Sequence, residues 1–141
     1  MAKRILLTGG AGYIGSHTYL ALVEAGYDVV IFDSFANARR DVPDRLAQVT
    51  GKPVTVIEGD VRSRTALEQV FRDRSFDAVV HFAALKAVGE SVERPLDYFD
   101  VNIGGLTTLL KVMDAAGCRR LVFSSSACVY GIPDETPTPE T

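Results

Sequence analysis

Apolar positions along the chain alternate between short unbroken runs and steps of three and four, the signature of strands exchanging with helices. Ile5-Leu6-Leu7, between Arg4 and Thr8, reads as a strand. The following seven positions, Gly9 to Gly15, carry four glycines, so a turn separates this strand from any helix. Ile14, Thr18, Ala21, Leu22 and Ala25 then recur at helical spacing until Gly26, and Val29-Val30-Ile31-Phe32 forms a second run ending at Asp33. Strand, glycine turn, helix and strand make one βαβ unit.

The same alternation continues. Val42 to Val49 is a weaker helical candidate, Val54 to Glu58 a third strand, and Ala78 to Phe82 a fourth. Thr65-x-x-Glu68 reads as a capping box opening a helix with Leu67, Val70 and Phe71 inward. Pro95 suits the first turn of the longest helix, in which Leu96, Phe99, Ile103, Leu106, Leu110 and Met113 follow at steps of three and four until Gly117. Phe99, Leu106 and Leu110 read as core or interface. Leu121-Val122-Phe123 is a fifth strand, and Ser124 to Gly131 a serine-rich loop. The pattern predicts an α/β fold: a Rossmann-type, doubly wound parallel sheet of five strands, covered on both faces through right-handed crossovers.

Composition narrows the class. With 141 residues, 47% of them apolar and 23% charged, the chain is long enough for one core without disulfides or metal. Residues 1–131 read as the packed domain. Residues 132–141 read as a tail, because they hold Pro133, Pro137 and Pro139 and one large apolar side chain, Ile132. Asp134, Glu135 and Glu140 put the whole net charge of -3 in that tail, and a pI of about 5.3 gives no footprint for nucleic acid. No apolar run approaches the roughly 18 residues of a bilayer crossing, and no h-region follows Met1, so a cytoplasmic protein without membrane partners is expected. Cys118 and Cys128 lack the spacing of metal ligands and read as reduced, partly buried thiols.

Gly9-x-x-Gly12-x-x-Gly15 lies between a strand and a helix, the context in which a glycine triplet points to dinucleotide binding. A diphosphate must reach backbone N–H groups at the helix start, including those of Tyr13 and Ile14, where the dipole favours anions and a Cβ would obstruct. One residue more than in G-x-G-x-x-G separates the first two glycines. Asp33 ends the second strand 18 positions after Gly15 (33 − 15), near the roughly 20 at which a carboxylate meets the adenosine ribose. Two ribose hydroxyls can each donate a charge-assisted bond of about 1.5–3 kcal/mol, whereas a 2′-phosphate would be repelled, which favours NAD over NADP. Arg39 and Arg40 leave the opposite choice open: they are either a solvated pair or a 2′-phosphate site. Asp60 either accepts from the adenine amino group or caps the next helix.

Thr8-Gly9-Gly10-Ala11-Gly12-Tyr13-Ile14-Gly15-Ser16-His17 resembles the extended branch of the short-chain dehydrogenase/reductase superfamily. His81-Phe82-Ala83-Ala84-Leu85-Lys86-Ala87-Val88-Gly89-Glu90-Ser91 and Phe123-Ser124-Ser125-Ser126-Ala127-Cys128-Val129-Tyr130-Gly131 are similar to stretches of the UDP-glucose 4-epimerases. The likeness runs over nearly the whole chain, and Lys86 to Ser91 is its most particular part. It implies NAD as cofactor and a UDP-hexose as substrate: hydride leaves hexose C4, the keto sugar turns over, and hydride returns to its other face.

By that resemblance Ser126 is the catalytic serine that hydrogen-bonds the reacting oxygen; read without it, Ser126 is a cap or loop serine. Lys86 is implied near the diphosphate, nicotinamide ribose and substrate. Phe82, Ala83 and Ala84 line the cofactor cleft, and Asn37, Val61 and Asn102 complete the implied cofactor contacts. Asn102, placed mid-helix, needs either a partner or solvent. Cys128 and Leu106 stand where threonine is usual in the family. Val101 stands where asparagine is frequent, which implies a lost contact to cofactor or substrate.

The family's chemistry also needs a tyrosine with a lysine four residues later. Four positions after Tyr13, Tyr19, Tyr27, Tyr98 and Tyr130 stand His17, Val23, Ile31, Asn102 and Asp134, so the chain has no such pair. The resemblance places it, with the uridine and hexose site, beyond Thr141. The chain alone is therefore expected to be inactive, to expose its long helix and fifth strand, and to self-associate; the family implies a homodimer. A related sugar-nucleotide dehydratase or dehydrogenase, or a non-catalytic NAD-binding module, are the alternative readings.

Overall fold

The computed structural model describes residues 2–132 and 135–139. Five parallel strands stand in the order β3-β2-β1-β4-β5: β1 (Arg4–Thr8), β2 (Asp28–Asp33), β3 (Thr55–Glu58), β4 (Ala78–His81) and β5 (Leu121–Phe123). The chain winds outward through β2 and β3, then crosses back to β4 beside β1. The order therefore reverses at β1, and the crevice at such a reversal is where α/β sheets bind ligands.

Alternation within each strand sends its side chains to two cores. Leu6, Val30, Phe32 and Val79 pack with Leu67, Val70, Leu109, Val112 and Met113 on one face, beneath α3 (Arg64–Asp73) and α6 (Gly105–Ala115). Ile5, Leu7, Val29, Ile31 and Val80 pack with Tyr19 and Leu46 on the other, beneath α1 (Tyr13–Glu24) and α2 (Val42–Thr50). The central runs are apolar at every position because both faces are covered. Leu67 is fully buried, and its truncation to alanine would cost about 2–5 kcal/mol.

The start of α3 departs from the expected capping box. Ser63, not Thr65, is the N-cap, and its side chain accepts from the Ala66 N–H at 3.3 Å. Glu68 instead pairs with Arg64 one turn away at 2.7 Å.

The long helix expected from Pro95 is interrupted. It divides into α5 (Pro95–Tyr98), a π-helical turn over Phe99–Gly104, and α6, which ends in a Schellman motif with Gly117 N–H on Asp114 O and Cys118 N–H on Met113 O. Gly104 and Gly105 supply weak helix propensity at the interruption, and Gly105 sits so close to Val61 that a Cβ would lie 2.7 Å from its Cγ2. The wide turn resets the helical phase. Leu109, Val112 and Met113 face the core, while Phe99 (60% exposed) and Leu110 (44%) do not, so of the core-or-interface reading only the interface half is left for those two.

A short helix, α4 (Val88–Glu93), was not expected from the pattern, since Val88 and Val92 are both exposed and leave no inward stripe. Ser124 to Gly131 contains a 3₁₀ turn over Ala127–Tyr130. Cys118 is buried and Cys128 exposed, which corrects the partly buried reading of Cys128. Among the described residues regular structure ends at Tyr130, and residues 133, 134, 140 and 141 of the expected tail lie outside them. Among the described residues no helix is long and apolar enough to cross a membrane.

Candidate functional site

A cleft of about 520 Å³ opens at the carboxyl ends of the strands, over the β1–β4 reversal. It brings together Gly9, Gly12, Tyr13, Ile14, Gly15, Asp33, Asn37, Asp60, Val61, Phe82, Ala83, Ala84 and Lys86, every cofactor residue named from the sequence except Asn102.

The glycine turn shows why three glycines stand there, and the reasons differ. Gly9 has φ +70, and a Cβ on it would lie 2.6 Å from Ala83 N and 2.7 Å from Phe82 C. Gly15 faces the Gly9 carbonyl and has Gly10 Cα 2.7 Å from where its Cβ would be. Both are thus required by the chain's own packing, apart from the expectation that a Cβ at the helix start would obstruct a diphosphate. Gly12 fits that expectation: only Gly9 O, at 3.3 Å, stands near its absent Cβ. It begins α1 with no side-chain cap, so first-turn N–H groups remain available at the cleft. Tyr13 is exposed and edge-on to His17 at 4.9 Å.

Asp33 is buried at the end of β2. Its Oδ2 accepts from Ala11 N–H at 2.9 Å and its Oδ1 from Phe35 N–H at 2.9 Å. The carboxylate thereby pins the glycine turn as well as facing the cleft, and each oxygen keeps a lone pair for an incoming hydroxyl. Arg39 pairs with Asp41 at 3.0 Å; Arg40 pairs with Glu58 at 2.7 Å and lies 5.2 Å over the Phe35 ring. The hydrogen bonds to Glu58 raise the Arg40 pKa and hold the Glu58 carboxyl below its ordinary range. Both arginines are engaged with carboxylates, in keeping with the solvated-pair reading.

Asp60 does not cap α3, which settles one of its two readings against it. Its Oδ1 accepts from Arg62 N–H at 2.8 Å, and both oxygens meet the Arg62 guanidinium, which lowers the Asp60 pKa. Arg62 reaches on to Asp100 in the π-helical turn at 2.7 Å. Beneath the cleft, Thr8 Oγ1 and His81 Nδ1 share a buried hydrogen bond of 2.6 Å between the two central strands. Burial pushes His81 down to about 4, and its ring stacks on Phe123 at 5.9 Å.

Asn102 and Ser126 stand outside the lining. Asn102 is half-buried, with its amide spent on the Leu85 backbone: Oδ1 accepts from Leu85 N–H at 2.8 Å and Nδ2 donates to Leu85 O at 3.0 Å. Of the two readings, a partner or solvent, the structure shows a partner in this loop. Ser126 is exposed beyond β5 and caps the 3₁₀ turn, its Oγ accepting from Cys128 N–H at 3.1 Å.

Sequence reasoning missed Glu90 of α4, Asp97 of α5, Arg94 between these helices, and Arg62, all of which line the cleft. Only the spacing of Glu90, Arg94 and Asp97 by four and three residues hinted at a shared face. Val101, marked as a departure from the family, lines the cleft too.

The NAD dependent epimerase/dehydratase family matches residues 5–141. UDP-glucose 4-epimerase 2 of Arabidopsis thaliana is 54% identical over 143 residues, covering 99% of this chain and 41% of the plant protein. The human UDP-glucose 4-epimerase is 52% identical, at 99% and 42% coverage. Among solved structures, the UDP-glucose 4-epimerase of Bifidobacterium longum in complex with NAD+ and UDP superposes with a TM-score of 0.94 at 46% identity, covering 98% of this chain and 41% of that one. The Stenotrophomonas maltophila enzyme, with bound NAD and formylated UDP-arabinopyranose, gives 0.94 at 47% identity, covering 99% and 41%. The chain thus spans about two-fifths of the length of the relatives it matches. From its glycine turn to its last serine loop, it is a member of the NAD dependent epimerase/dehydratase family.

Proposed function

We propose that this chain is the cofactor-holding part of a UDP-hexose 4-epimerase and that its cleft binds NAD. One observation carries the reading: an uncapped helix N-terminus at Gly12 and a fixed carboxylate at Asp33 open onto the same cleft. The first suits a diphosphate and the second the adenosine ribose. Asn37, Asp60 and Val61 then border the adenine end, Phe82, Ala83 and Ala84 leave room for the adenosine side, Lys86 stands toward the diphosphate and nicotinamide ribose, and Asn102 contributes from behind the Leu85 loop. When bound, NAD supplies reversible hydride acceptance.

Ser126 is proposed to hold the reacting hexose oxygen. Its Oγ lone pair is used by Cys128 N–H, but its own O–H proton stays free to donate to a sugar oxygen. Lys86 adds a cation beside the anionic UDP-hexose and dinucleotide. Two free cysteines support a reducing, cytoplasmic setting. Exposed Leu96, Phe99 and Ile103, continuous along α5 and the π-helical turn, support a homodimer contact or self-association of the chain. Light scattering of residues 1–141 should show species larger than a monomer; a clean monomer at high concentration contradicts that contact.

The function is tested by product analysis on UDP-galactose with the protein as its gene encodes it. UDP-glucose is the expected product, and Ser126→Ala should lower kcat. A keto-deoxy sugar would instead establish a dehydratase.

A further inference from the structure

Lys86 lies in the segment joining β4 to α4, which has no regular structure, and its side chain is exposed at the cleft. A lysine is a point charge on a flexible stem, so what it can do for a ligand depends on where its backbone is held. The residues on either side of it are each tied to one neighbouring stretch of chain. Before it, Leu85 is gripped at both its N–H and its C=O by the Asn102 amide, at 2.8 and 3.0 Å. After it, the Ala87 carbonyl accepts from Tyr98 Oη at 2.8 Å, and the same hydroxyl stands 2.9 Å from Glu90 Oε2.

Tyr98 closes α5 and Asn102 lies in the π-helical turn that follows, so both face the Leu85–Ala87 segment from one side. Glu90 and Asp97 are meanwhile paired with Arg94, at 3.5 and 2.6 Å, and Asp100 with Arg62 at 2.7 Å. Wide turns of this kind recur at functional sites. Here the turn sets Tyr98 and Asn102 against a loop while Leu109 and Met113 of α6 face the core.

We propose that Tyr98 and Asn102 are positioning residues that clamp the backbone on both sides of Lys86 and so place its ammonium for the diphosphate or nicotinamide ribose of a bound dinucleotide. The proposal rests on the cofactor reading above, and it gives Asn102 a task that needs no contact with the cofactor. Tyr98 adds a determinant that neither the glycine triplet nor the lysine itself discloses.

The test titrates residues 1–141, and its Tyr98→Phe, Asn102→Leu and Lys86→Met variants, with NAD and with AMP, and follows amide hydrogen exchange without ligand. Each clamp variant should weaken NAD roughly two- to tenfold, as expected if Lys86 loses a single hydrogen bond to the dinucleotide. AMP binding should hold, and in the Lys86→Met background the clamp variants should weaken NAD no further. Exchange at Leu85 should quicken in Asn102→Leu. An equal loss in the Lys86→Met background, or an equal loss for AMP, overturns the proposal. Unchanged Leu85 exchange overturns the clamp alone, whereas failure of the unaltered chain to bind NAD overturns the cofactor reading and the ligand assigned here with it.

Discussion

On one flank of the cleft, backbone lies directly on backbone: Gly9 against Phe82 and Ala83, Gly15 against Gly9 and Gly10, with the Asp33 carboxylate bonded to two N–H groups. On the other, Leu85 to Ala87 hang from the side chains of Asn102 and Tyr98, and Glu90 and Asp97 from Arg94. The first flank admits no added atom at Gly9 or Gly15, and the second is set by polar groups that are half-buried or exposed. On the cofactor reading proposed above, the packed flank would meet the invariant part of a dinucleotide, and the polar flank could be tuned by single side chains.

The strongest way to break that contrast is to add one methyl group to each glycine of the turn. Gly15→Ala forces a Cβ onto the Gly9 carbonyl and should cost about 3 kcal/mol or more in urea unfolding. Gly12→Ala meets only Gly9 O at 3.3 Å and should unfold near the unaltered chain while binding NAD more weakly. Equal stabilities for the two variants would mean that the turn is not held by its own packing.

The next effect lies where the flanks meet, at the Thr8–His81 bond. With His81 held near 4 in the fold against an ordinary 6.5, the unfolded chain takes up a proton first as pH falls. Its contribution is therefore complete above about 6.5 and is lost between 6.5 and 4, by up to about 3 kcal/mol. Carboxylates such as Asp60, lowered by its Arg62 bonds, lose their contribution only at more acid pH. Replacing His81 by Asn should flatten the decline between 6.5 and 4. An unchanged slope would show that another group carries it.

A smaller change should come from Asp33→Asn, which removes the charge and leaves either the Ala11 or the Phe35 N–H without its acceptor. NAD should weaken by roughly ten- to a hundredfold, as expected for losing charge-assisted bonds to the ribose. Discrimination against NADP should shrink with it. Retained selectivity would shift that role to the Arg40–Glu58 pair.

The first flank was legible in the sequence because its determinants are local: a strand, glycines at fixed steps, and an acid at the end of the next strand. Even so, spacing alone could not tell Gly12, which faces the cleft, from Gly9 and Gly15, which face the chain. The second flank was legible only through family resemblance. Val88 and Val92 face outward, so α4 left no apolar period. The π-helical turn also broke the phase on which the long helix was read, turning Phe99 and Leu110 out. Tyr98 and Asn102 act on Leu85 and Ala87, and the positions that meet through a turn of unforeseen width are fixed only by the folded backbone.

Calorimetric titration of residues 1–141 with NAD and, as control, NADP decides whether the glycine turn and Asp33 form one cofactor site within this chain. Saturable binding of NAD with much weaker NADP is the result expected from an uncapped helix start beside a fixed carboxylate. Binding of neither by a folded chain, or a preference for NADP, would contradict it.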